Sequence, residues 1–142
     1  MFKLEKKMDA GDIILDKEIA IADSDSAVTL SEKFAYEGAK FLIDSLDLIE
    51  KGKATFKKQD EALATFAPKL KKSDGLINWG APAVEIRNRV RGLLPWPGAF
   101  TNFNGKILKI LETRSASCKD DKGAAGQIVG IEESLGILIR SW

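Results

Sequence analysis

The chain has 142 residues, 44% hydrophobic and 30% charged, with a net charge of +1, one cysteine and no histidine. No apolar run approaches the roughly 20 residues needed to cross a bilayer, the N-terminus lacks the apolar centre of about 7–15 residues of a secretory signal, and a lone cysteine closes no internal disulfide. A soluble protein of a reducing compartment, the cytoplasm or an organelle interior, is expected, with cytoplasmic the location taken, and a membrane protein or disulfide scaffold is excluded.

Cys118 sits in a polar stretch with no histidine or second cysteine in the chain, so it reads as a surface-loop residue and no metal site is expected. The length suits one ordinary domain or two small pieces. Charge separates the chain unevenly. Residues 1–52 carry 7 basic and 12 acidic side chains, net −5, whereas residues 53–91 carry 9 and 4, net +5, and residues 92–142 carry 6 and 5, net +1. A basic stripe beside an acidic lobe suits a protein that holds a polyanion on one face only.

In chain order, Ile13, Leu15, Ile19 and Ile21 alternate with Asp12, Asp16 and Glu18, a period of two that predicts a strand over 13–21. Thr29 with Glu32 forms a capping-box signature, and Leu30, Phe34, Phe41, Leu42, Leu48 and Ile49 share one helical face, so a helix to about Lys51, stopped by Gly52, is expected to cover a sheet. Gly38 on that face would let the backbone approach the sheet. Lys33/Glu37 and Lys40/Asp44 are spaced for i,i+4 pairing on the opposite face.

Residues 53–73 show weak periodicity and the breaker Pro68, but four large apolar residues, Phe56, Leu63, Phe66 and Leu70, so they read as a linker lying on a surface. Residues 75–79 predict a short strand and Pro82 opens a helix ending near Leu94. Residues 99–103 and 106–114 predict a hairpin, because Asn104-Gly105 supplies the two positive φ angles of a type I′ turn. Strands over 127–131 and 135–142 follow, and the last seventy residues read as a small antiparallel barrel with one helix. The final apolar strand would be left as an open edge, so the barrel is expected to be incomplete.

Met8-Asp9-Ala10-Gly11 followed by an apolar strand, Gln59-Asp60, and above all Pro95-Trp96-Pro97-Gly98-Ala99-Phe100 resemble, in order and spacing, the C-terminal half of methionyl-tRNA formyltransferases. Asp-x-Gly alone recurs in many turns; its combination with the proline-tryptophan motif is specific. The resemblance implies an α/β chain: the tail of a Rossmann-like catalytic domain over 1–52, a linker over 53–73, and an OB-like tRNA-binding domain over 74–142. It implies transfer of a formyl group from 10-formyltetrahydrofolate to the amine of methionyl-initiator-tRNA, in a monomeric protein. Asp9 falls at the catalytic aspartate, which in the family acts with an asparagine and a histidine. That histidine has no counterpart here, and the folate-binding loop lies upstream in the family, so no donor-binding residue is assigned and an inactive partial chain is expected.

For tRNA the candidates are Lys69, Lys71 and Lys72 in the linker and Arg87, Arg89 and Arg91 on the second helix, where Ala83, Ile86, Val90, Leu93 and Leu94 form the buried side. Arg87 and Arg91 fall together at i,i+4, a repulsive spacing that an anionic partner resolves. The plainer readings are a solvated charged face for these cations and an Asx-type turn for Asp9. Arg87 stands where the family commonly has histidine, and Leu94 where it has asparagine. Trp79 and Trp96 read as core and hinge packing. The rival functions are a sugar-nucleotide formyltransferase, the hydrolase portion of formyltetrahydrofolate dehydrogenase, and an RNA-binding protein without catalysis.

Overall fold

The computed structural model describes residues 1–117, 123–134 and 136–142; Cys118 lies outside them. The chain divides into two compact units, one of residues 1–25 with 29–68, the other of residues 26–28 with 69–142. The boundary between Pro68 and Lys69 falls inside the segment expected as a linker. Among the described residues no helix is long and apolar enough to cross a membrane.

The first unit is built on α1 (Ala27–Glu50), 24 residues long. It begins two residues before Thr29, so the expected capping box does not form. Instead the Asp25 carboxylate, only 5% exposed, collects the Ala22 N–H at 2.7 Å, the Thr29 hydroxyl at 3.3 Å and the Lys33 ammonium at 2.7 Å. These partners, the Lys33 hydrogen bond foremost and then the Ala22 amide, hold Asp25 below the usual carboxylate range.

The helix ends as expected at Gly52, whose φ of 64° starts a Schellman turn: Gly52 N–H donates to Ile49 O at 3.0 Å and Lys53 N–H to Leu48 O at 2.9 Å. The expected Lys33/Glu37 pair is replaced by Lys33–Asp25 and by Lys17–Glu37 at 2.6 Å, while Lys40 lies 4.3 Å from the Tyr36 ring centre.

Two further expectations fail in this unit. Of α1 only Ser45 is buried, its hydroxyl donating to Phe41 O at 2.7 Å, while Phe34, Leu42 and Ile49 stay exposed and nothing lies within 4 Å of a Cβ built on Gly38. The helix covers no sheet inside its own unit, since the strands all lie in the second. Residues 13–21 form no strand either. Ile13 makes isolated bridges to Phe2 and Lys57, and Ile14, the residue that interrupts the alternation, is the buried one. Period-two patterning yields extended backbone, but a ladder also needs a partner strand, and here the backbone bonds stop at Ile13, Ile14 and Leu15, which reach Lys57 and Met1.

The second unit opens with a 3₁₀ turn, Lys72–Gly75, where a strand over 75–79 was expected. Asp74 Oδ2 accepts the Lys71 N–H at 2.7 Å, and the Asn78 side chain accepts the Gly80 N–H at 3.0 Å. Two Asx-type bonds thus turn the chain at both ends of the apolar run, leaving one parallel bridge, Leu76 to Phe100. Helix α2 (Ala83–Gly92) follows Pro82 and buries Ile86 and Val90.

After cis peptide bonds at Leu94–Pro95 and Trp96–Pro97 come β1 (Ala99–Phe103) and β2 (Lys106–Ile110), paired antiparallel. Asn104 and Gly105 have φ of 49° and 74°, the type I′ turn expected of them. The second strand stops at Ile110 rather than at residue 114. Strands β3 (Ile128–Glu132) and β4 (Gly136–Ile139) form a second antiparallel pair with an irregularity at Ile128/Gly130. Among the described residues the strands make two separate two-stranded sheets, an α/β arrangement coarser than the expected barrel. Ile77, Ile86, Val90 and Ala99 form the core, with Trp79, Ala81 and Ile110 packed against it.

Candidate functional site

The Asp9 loop is shaped by two constraints. Lys3 N–H donates to Asp12 O at 2.9 Å, which lays the Lys3 carbonyl across Gly11; a Cβ on Gly11 would sit 1.8 Å from that oxygen. Glycine is therefore obligatory at the third position of Asp-x-Gly. From the other side the Gln59 amide donates from one nitrogen to both Asp9 O, at 2.9 Å, and Gly11 O, at 2.6 Å. Lys57 and Ile13 exchange a pair of 2.8 Å backbone bonds just before it.

Asp9 is held with φ of 54°, and its exposed carboxylate makes no hydrogen bond or ion pair among the described residues. The backbone, rather than an Asx-type side-chain bond, makes this turn. Sequence reading placed Gln59 in the resemblance without a role; its signal was its place beside Asp60, where the family match resumes.

In the second unit Lys69, Lys71 and Lys72 are exposed. Asp74 closes the turn on Lys71 from both sides, since its N–H also donates to Lys71 O at 3.0 Å. Arg89 reaches the same turn: its Nε donates to Asp74 O at 3.0 Å and its Nη2 to the same oxygen. Arg91 Nε donates to Asn88 Oδ1 at 2.9 Å, and Arg87 and Arg91 are both half-buried and engaged within the chain. The six cations thus divide into three exposed lysines, two arginines on one flank of α2, and Arg89, which ties α2 to the lysine turn. Trp79 packs on the core and donates from Nε1 to Thr101 Oγ1 at 3.0 Å, whereas Trp96 is 59% exposed and is no packing element.

Two cavities accompany these groups, one in each unit. The first, about 500 Å³, is lined by Lys17, Glu18, Ile19, Lys33, Tyr36 and Glu37; the second, about 200 Å³, lies between residues 94–98 and the hairpin. Asp9 lines neither. Among the described residues no group of three or more metal-ligating side chains occurs.

Residues 69–141 match the family described as "Formyl transferase, C-terminal domain". Over 138 residues the chain is 38% identical to the methionyl-tRNA formyltransferase of Desulforamulus reducens, covering 97% of the chain and 43% of that protein. It is 41% identical over 141 residues to that of Caldicellulosiruptor saccharolyticus, covering 99% and 44%, and 45% identical over 107 residues to that of Caldanaerobacter subterraneus subsp. tengcongensis, covering 75% and 35%. The chain thus spans less than half the length of these relatives. In fold it is similar to HypX from Aquifex aeolicus, with a TM-score of 0.66 at 17% identity, covering 99% of this chain and 25% of that one.

Proposed function

The chain belongs to the formyl transferase family through that family's C-terminal domain, and on that premise we propose that it serves the formylation of methionyl-initiator-tRNA, with residues 74–142 as an OB-like part that grips tRNA together with the linker lysines, and the Asp9 loop as its contribution to the catalytic centre. The observation that carries this reading is the concentration of cation in residues 53–91, net +5 against −5 in residues 1–52, with Lys69, Lys71 and Lys72 standing exposed. Phosphate contacts by such side chains supply affinity and position without reading sequence. Lys69, Lys71 and Lys72 meet the backbone of the RNA, and Arg87 and Arg91 join them by exchanging their contacts within the chain; Arg89, which donates to Asp74 O, positions the lysine turn.

An amine attacking a formyl carbonyl must lose a proton, and the oxyanion formed must be stabilised. In the family the aspartate at this position orients and tunes a histidine in that transfer; on this reading Asp9 has that role, and this chain supplies no histidine. Its part is to hold a negative charge at a fixed, solvent-facing position through Gln59 and Gly11. Binding of tRNA without turnover is accordingly the activity proposed for the chain by itself. The formyl donor, 10-formyltetrahydrofolate, is assigned no residue here.

Titrating fluorescent initiator tRNA at several salt concentrations tests the reading. Affinity should fall by about one decade per decade of salt for each phosphate contacted, and a time course with donor and charged tRNA should show no formylated product. Salt-insensitive binding removes the roles given to the cations, and measurable turnover removes the requirement for a histidine.

A further inference from the structure

The hairpin register carries a second feature that the charge pattern alone does not reveal. Phe100 pairs directly with Lys109, so their side chains leave the sheet on the same face, and Ile107 and Leu111, two residues to either side of Lys109, follow them. The opposite face carries Ala99, Thr101 and Ile110 toward the core and Trp79. A cleft of about 200 Å³ is lined by Phe100, Ile107 and Lys109 of the hairpin together with Pro95, Pro97 and Lys72, and it also touches Ala99 and Ile110.

No acidic residue lines the cleft. Neither Lys72 nor Lys109 has an ion pair or side-chain hydrogen bond among the described residues, and Ile107 is 62% exposed. The volume lies below the roughly 300–1,000 Å³ of pockets for drug-sized ligands. The cleft is lined by apolar side chains and by two lysines that have no acidic partner among the described residues.

We propose that this cleft is a nucleotide subsite for RNA, in which one unstacked base lies between Phe100 and the Pro95–Pro97 turn while Lys72 and Lys109 take flanking phosphates. The proposal rests on the tRNA-binding reading and deepens it. A base joined to phosphates unites the two properties the lining calls for, a planar apolar body and negative charge; aromatic faces and cationic grooves hold single-stranded nucleic acid by this combination. An apolar segment of protein would fill the cleft but leave both ammoniums unanswered.

Binding of initiator tRNA, of a short single-stranded oligouridylate and of a fully paired RNA duplex is measured by anisotropy for the full chain and for Lys109→Gln, Phe100→Leu and Ile107→Glu. Lys109→Gln should reduce the salt slope by about one. Phe100→Leu should weaken the oligouridylate about 5- to 100-fold, as loss of one base stack does, with the salt slope unchanged. The duplex should be insensitive to Phe100→Leu. If tRNA binds with steep salt dependence yet all three variants match the parent, the subsite is overturned while the tRNA reading stands. If no ligand binds in a salt-dependent way, the tRNA reading itself has failed. Sedimentation supplies a further outcome: a self-associating chain dispersed by Ile107→Glu would make the cleft a contact between copies and overturn the proposal. Lys109 and Ile107 are exposed, so those variants keep the question answerable should Phe100→Leu fail to fold.

Discussion

Replacing Gly75 with alanine puts a methyl group where backbone already is. A Cβ built there lies 2.2 Å from the Gly98 carbonyl oxygen and 3.0 Å from two carbons of the Phe100 ring. A ring edge gives way by a few tenths of an ångström, but the Gly98 carbonyl follows the Trp96–Pro97 turn and precedes Ala99, which is 1% exposed in the core. Forcing such a contact costs about 1–3 kcal/mol. For a unit of this size each kcal/mol lowers Tm by about 4–8 °C, so a fall of about 4–24 °C is expected. Melting followed by tryptophan fluorescence is suitable, since Trp79 packs on the same core. The double variant Gly75→Ala with Phe100→Leu should not recover the loss, because the carbonyl clash remains. A Gly75→Ala protein melting within a degree or two of the parent, or full rescue by Phe100→Leu, would refute this account of the close approach.

Val90, 1% exposed at the centre of the same core, should cost about 2–3 kcal/mol on truncation to alanine, about 0.8 per lost methyl-sized group plus the cavity, read from urea unfolding. Gln59→Ala removes two hydrogen bonds to the Asp9 loop and should destabilise the first unit by about 1–3 kcal/mol, with faster hydrogen exchange at residues 9–13; exchange unchanged there would deny Gln59 its clamping role. Because Asp25 is held below its ordinary value, its stabilisation is complete above about pH 4 and is lost as pH falls through the lowered value. The Tm gap between parent and Asp25→Asn should therefore be constant near neutrality and close in acid. Arg89→Gln should lower stability through the Asp74 turn while leaving the salt slope of tRNA binding unchanged, whereas Lys72→Ala should reduce that slope by about one.

What could be read from the sequence was local. Asn104-Gly105 dictates its turn by φ alone, Gly52 ends α1 by the same physics, and the buried side of α2 follows from helical spacing, because in each case the deciding interaction lies within a few residues. The failures share the opposite property. Thr29 fell inside α1, which starts at Ala27, and its hydroxyl donates instead to the Asp25 carboxylate, which also binds Lys33 eight residues on. Residues 13–21 had the pattern of a strand without a neighbour to complete it, and residues 75–79 were bent by the side chains of Asp74 and Asn78. Asp9 and the basic residues were visible as a resemblance and a charge pattern. That Arg89 is engaged by Asp74, and that Lys109 stands opposite Phe100, emerged only from the three-dimensional pairing, although the two-residue turn already contained the second.

One amide nitrogen, that of Gln59, grips carbonyls 48 and 50 residues earlier in the chain. The spatial address of Asp9 is thus written outside the segment that contains it. Were residues 1–52 joined to a different downstream sequence, the aspartate would be inherited from one parent and its placement from the other, so the loop should hold its shape only where a glutamine stands at position 59.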